Sequence, residues 1–201
     1  TDSWGDVVNA RLYLRNALCT VEWENGATLK TFVQANDPVG WFVFENVPED
    51  FSLQLIPPAY NKGGGLARLG YEQGRVVNDG NTISYHQQGY GDFYYDIAVK
   101  WCRRGDRVMG VWSVTSSLSK EIALHEVKDA LKRGVKADYR QHMNFWEGFW
   151  ASSEIVLPDS VIQHQYDREI YQVARASQSA TQDPEDASRY CTAPPRQLYS
   201  L

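Results

Sequence analysis

Hydrophobic residues in this chain recur at every second position up to about residue 115 and at every third or fourth position after it. In the first part, VVNARLYL places Val8, Ala10, Leu12 and Leu14 on one side, and CTVEWE does the same with Cys19, Val21 and Trp23. A period of two marks half-buried strands. Asn25-Gly26, between TVEWE and ATLKTFV, predicts a two-residue hairpin of type I′, which needs positive φ at both central residues; Asn78-Asp79-Gly80 repeats the device. Further strand-like runs cover 41–46, 52–56, 93–101 and 107–114. Many short antiparallel strands with turn residues between them predict a β-sandwich, and no strand–helix–strand alternation interrupts them.

Beyond that point the pattern is helical. Ile122, Val127, Ala130 and Leu131 share one face, and Gly134 suits a C-terminal cap. The next segment holds Phe145, Trp146, Phe149 and Trp150 within six residues. Tyr139, Met143, Trp146 and Trp150 follow one another at spacings of four, three and four, a single stripe that Phe145 and Phe149 widen. Such a stripe predicts packing against other elements. Gly148 lies inside it at a cost of about 1 kcal/mol relative to alanine, which points to close packing or an early helix end. Pro158-Asp159 marks a further helix start with Asp159 as N-cap, and Ile162, Tyr166, Ile170, Val173 and Ala174 fall on its inner face. After Ala176 the chain is polar, proline-containing and loop-like.

The search for chemistry is short. A net charge of −5 with no basic stripe argues against nucleic-acid and membrane-surface partners. Cys19, Cys102 and Cys191 are far apart and form no CxxC pair, so no metal ligand set is assigned, and Cys19 and Cys102 suit buried free thiols. SVTSSLS contains no G-x-S-x-G elbow. The glycines at 63–65 lack the G-K-[ST] of a phosphate loop and suit a flexible loop. Glu45, Glu49 and Asp50 around Pro48 suit a solvated turn. No residue is assigned a catalytic role and no cofactor is expected. The richest segment is YHQQGYGDFYYD at 85–96. His86, Gln87, Gln88 and Tyr90 combine hydrogen-bonding groups with a ring that can stack on a sugar, while the same composition also serves a plain hairpin tip.

One motif carries a family likeness. Phe149, Trp150, Ser153, Ile155, Leu157, Pro158 and Asp159 form FW-x-x-S-x-I-x-LPD, followed by Tyr166, Tyr171 and ARAS at 174–177. This resembles the junction in bacterial glycoside hydrolases of the family 95 type, the α-L-fucosidase-like six-hairpin glycosidases. Ala193, Pro194, Pro195 and Leu198 are similar to the loop entering the barrel of those proteins, although Arg196 and Tyr199 depart from its usual residues. VGWFVFENVP, LIPPAYN and GVWSVTSSL are compatible with the same N-terminal domain.

The resemblance implies a β-supersandwich over 1–117, linker helices over 118–158 and the first helix of an (α/α)6 barrel over 159–201. It implies that Tyr139, Met143, Trp146, Phe149 and Trp150 are buried where linker, sandwich and barrel meet, and it places His86, Gln87, Gln88 and Tyr90 at the rim of a sugar site. The catalytic acid and base of the family lie in the barrel, downstream of Leu201, so no position here inherits them. The implied partners are a carbohydrate and the C-terminal barrel, in a secreted or periplasmic enzyme. The alternatives are a free-standing carbohydrate-binding sandwich using Tyr90, Phe93 and Tyr94, and a structural interaction module.

Overall fold

The period-two region forms one antiparallel sheet in the computed structural model, which describes residues 4–57, 68–152 and 155–178. Its strands are β1 (Val7–Tyr13), β2 (Leu18–Trp23), β3 (Thr28–Val33), β4 (Val39–Glu45), β5 (Arg75–Asp79), β6 (Thr82–Gln88), β7 (Tyr94–Arg104) and β8 (Arg107–Ser116). They lie in the order β1-β2-β3-β4-β8-β7-β6-β5. Two meanders thus meet at β4 and β8, where Trp41 faces Val111 and Phe42 faces Gly110. The chain is mainly antiparallel β with three α-helices among the described residues: α1 (Ala123–Arg133), α2 (Val135–Ser152) and α3 (Ser160–Gln178). Two compact units result, Thr1–Ser152 and Ser153–Leu201.

The pleat sorts the core. Phe32, Val39, Trp41, Ala98 and Val111 occupy one face and are sealed by Ala123, Val127 and Ala130 of α1. The opposite face carries Phe42 and Val108 with Leu29, Phe44, Val99, Trp101 and Trp112, joined by Val47, Phe51 and Leu53 from the segment after β4. Gly40 and Gly110 make this second face possible. The Trp112 ring lies where a Cβ at Gly40 would be, and the Phe42 ring takes the same place at Gly110. Neither position can accept a side chain without moving an indole or a phenyl ring.

Several local expectations change. The Asn25-Gly26 hairpin is not type I′: only Gly26 has positive φ (81°), and its N–H bonds back to the Trp23 carbonyl. With Trp23 also paired to Ala27 and Asn25 Oδ1 accepting the Ala27 N–H, this is a type I turn followed by a glycine bulge. In the β5–β6 hairpin the central pair is Gly80-Asn81, and only Gly80 has positive φ, as a type II′ turn requires. The run 52–56 alternates in exposure but joins no ladder. Alternation reports one buried side; it does not guarantee a free strand edge to pair with. Leu14 leaves the strand for a 3-10 turn, Leu14–Asn16.

The helices follow the same division. Gly134 caps α1 as expected, its N–H reaching the Ala130 carbonyl at φ 86°. At the other end Ile122 is exposed instead of lying on the inner face, and the cap comes from the sheet: Thr115 Oγ1 accepts the Ala123 N–H. Asp159 caps α3 by accepting N–H bonds from Val161 and Ile162. The buried side of α3 includes Tyr171 and Ala174, while Ile162 and Val173 face outward. Gly148 has open space around it and α2 continues to Ser152, so neither close packing nor an early end explains that glycine. Cys19 and Cys102 are half-buried thiols. The triglycine at 63–65, Cys191, Ser153 of the junction motif and the barrel-entry residues 193–198 lie outside the described residues.

Candidate functional site

The segment 85–96 folds as the hairpin between β6 and β7, with Gly89–Phe93 at its tip. Gly89 N–H bonds to the Phe93 carbonyl, and Gln88 Nε2 donates to the carbonyls of Gly91 and Phe93. Gln88 therefore braces the tip from within. Gln87 points to the opposite face and is only 2% exposed. Its Oε1 accepts from Gly74 N–H and Tyr85 O–H, and its Nε2 donates to the carbonyls of Glu72 and Gln88. All of its bonding capacity is spent inside the protein. Neither amide is presented to a ligand.

His86 and Tyr90 are presented. Tyr90 is 85% exposed at the tip. Register places His86 opposite Asp96, and His86 Nδ1–H donates to Asp96 Oδ1 at 2.7 Å. That bond fixes the ring and leaves Nε2 facing outward. The Tyr94 ring lies 5.2 Å from the imidazole. Asp96 in turn faces Thr115, the residue that caps α1, so the row is anchored to the helix start. Asp96 was not among the residues singled out from sequence. The signal was available: a hairpin centred on Gly91 pairs position 86 with position 96. Chemically the group offers a fixed imidazole, a carboxylate and two phenol rings on a surface. That suits holding hydroxyl groups; glycosidic cleavage needs two carboxyl groups on either side of the bond. No cluster of three or more His, Cys, Asp or Glu side chains able to hold a metal occurs among the described residues.

The aromatic helix hides a second polar arrangement. Its buried row is Asp138, His142, Trp146 and Trp150, at constant spacing of four, with Tyr139, Met143 and Phe149 half-buried beside it. The row thus begins on a carboxylate where Tyr139 was expected. Asp138 is 0% exposed. Its Oδ2 accepts from Trp41 Nε1 (2.9 Å) and Arg133 Nη2 (3.2 Å), and its Oδ1 accepts from Arg133 Nε (2.9 Å). Arg133 reaches on to Asp37 at 2.7 Å, and Gln34 Nε2 donates to the Asp138 carbonyl. The hydrogen bond to Asp138, then the charges of Asp138 and Asp37, raise the Arg133 pKa against the effect of burial. The net ties α1 and α2 to the ends of β3 and β4. It is an anchor, closed on itself.

One turn on, His142 is also fully buried and packs 4.8 Å from Phe32. Its Nε2–H donates to the Asn16 carbonyl at 2.8 Å, and Nδ1 has no hydrogen-bond partner among the described residues. Burial lowers its pKa below 6.5, opposed by the Asn16 bond. The unfolded chain therefore takes up this proton first. Stability from His142 is complete above about pH 6.5 and is lost as pH falls toward the folded-state value, by up to about 1.4 kcal/mol per pH unit. Urea unfolding of wild type and His142→Gln between pH 7 and 5 should give a steeper decline for wild type; parallel curves would show that the ring is hydrated.

Comparison with known proteins adds no relative: neither a family model nor a curated protein matches the chain.

Proposed function

We propose that this chain is the non-catalytic sandwich and linker of a carbohydrate-active glycoside hydrolase of the family 95 type, with its barrel and catalytic carboxyl groups supplied by sequence outside these 201 residues. The observation that carries the reading is a sheet that is apolar on both faces. One face is closed by α1. The other holds Phe44, Val99, Trp101 and Trp112 only partly covered, with Val33 and Val114 exposed. A sheet of this kind is built to be an inner layer, and a second antiparallel sheet is its natural cover. In this reading α1 and α2 are the linker helices and the Asp159-capped α3 is the first helix of the barrel. The junction residues Phe149, Trp150, Leu157, Pro158 and Asp159 support it. His86, held by Asp96, and the exposed Tyr90 then form part of the rim of the sugar site.

Two measurements test the proposal. The 201-residue chain should release no aryl leaving group from α-L-fucosides or β-galactosides above a no-protein control, whereas the full-length enzyme should. Hydrolysis by the short chain would overturn the assignment. In the full-length enzyme, His86→Ala and Tyr90→Ala should each lower kcat/KM by about tenfold, about 1.4 kcal/mol, and Gln87→Ala should act through stability instead. Unchanged kinetics in both surface variants would leave the hairpin a scaffold. The exposure of Tyr90 favours one second reading, a free-standing sugar-binding sandwich. Saturable binding of soluble sugars by the short chain, lost in Tyr90→Ala, would select it.

A further inference from the structure

The turn after β4, read from sequence as merely solvated, closes over the end of the second sheet face and leaves a concavity of about 420 Å³ there. That size is within the range of small-molecule sites. Its walls are the rings of Trp4, Trp23, Phe44 and Phe51, all half-exposed, with the Asp50 carboxylate at the opening. The rings form corners. Trp4 meets Trp23 at 87° and Phe44 at 81°, with centroids 5.0 and 5.9 Å apart, while Phe51 lies nearly parallel to Trp4 at 5.5 Å. A second carboxylate stands at the rim. Glu24 lies against Gly5, itself part of the wall, and its Oε2 accepts the Asp6 N–H.

We propose that this aromatic corner binds an organic cation of the quaternary ammonium class. The argument is one of shape and charge. Ring faces set at right angles surround a compact, roughly spherical group from several sides, whereas a sugar stacks best on one flat open face. Each ring presents the negative face of its quadrupole, and attraction to a cation grows as water is removed. Asp50 and Glu24 add formal negative charge at the mouth, which favours a cation over a neutral guest of the same size. A trimethylammonium group also carries no N–H donors, so a wall of rings leaves none of its bonds unmade.

The test uses choline chloride titrated into the 201-residue chain, followed by tryptophan fluorescence and calorimetry at constant ionic strength. The comparison ligands are 3,3-dimethylbutan-1-ol, its neutral isostere, and methyl α-L-fucopyranoside. Choline should bind saturably and at least about tenfold more tightly than the alcohol, in keeping with a desolvated cation–π contact. Asp50→Asn, at an exposed position that leaves the fold intact, should weaken choline by a similar factor, and Trp23→Leu should abolish the fluorescence change. Equal affinity for choline and the alcohol would reduce the feature to an apolar dent and overturn the proposal. So would binding of the glycoside without choline, or no saturation by any of the three. These outcomes are independent of whether the chain belongs to a glycosidase.

Discussion

Replacing Asp138 by alanine is expected to lower the unfolding free energy by about 3–5 kcal/mol, the loss typical of a buried ion pair that keeps only one partner. The carboxylate has no solvent exposure and accepts three hydrogen bonds, one from Trp41 and two from Arg133. Without it the Trp41 indole N–H, on a residue that is itself fully buried, has lost its acceptor, and Arg133 keeps only Asp37. The orphaned groups set the size of the loss, more than the attraction that disappears. Urea denaturation followed by circular dichroism measures it directly. A double-mutant cycle with Arg133→Ala should return a coupling of roughly 1–3 kcal/mol, because the two side chains share one network. A loss under about 1 kcal/mol for Asp138→Ala would mean that water reaches the carboxylate and that the anchor is a surface feature.

The second large effect is expected at Trp146. The residue is 2% exposed and lies between His142 and Trp150 on the buried row of α2, with ring centroids 6.2 and 6.4 Å away. Trp146→Ala removes the largest side chain that a protein can carry from a place that cannot fully collapse, at a cost of about 3–5 kcal/mol. Phe149→Ala, a half-buried ring on the same helix, should cost clearly less. Equal losses for the two would show that the row is turned from the orientation described, and a Trp146 variant that melts at the wild-type temperature would place the ring in solvent.

These two residues also separate what local pattern could and could not reveal. Trp146 was legible because four-residue spacing of large apolar side chains admits one structural reading. Asp138 was not, because a carboxylate beside a stripe is ordinarily its polar border, and the stripe was drawn from Tyr139. The row turned by one position since Asp138 meets Trp41, Arg133 and Gln34, and a charge may be buried where such donors converge. His142 entered the row with it, one turn later, on the Asn16 carbonyl.

The hairpin at 85–96 divides in the same manner. Strand alternation put His86 and Gln87 on opposite faces, which sequence shows plainly, yet which face was buried depended on Tyr85, Gly74 and Glu72. Gln87 became structural and His86 gained Asp96 from the facing strand. The run 52–56 alternates as a strand does and still pairs with none. What the sequence determined by itself was every feature decided within one turn or one strand: the two hydrophobic periods, the glycine at each hairpin, Gly134 closing α1 and Asp159 opening α3. Side-chain period, φ preference and capping are set by neighbours in the chain. Strand order, the choice of buried face and the partner of each buried polar group were left to tertiary structure. Asp138 and Trp41 are 97 positions apart and His142 and Asn16 are 126 apart, and only the folded sheet brings their hydrogen-bonding groups within 3 Å of one another.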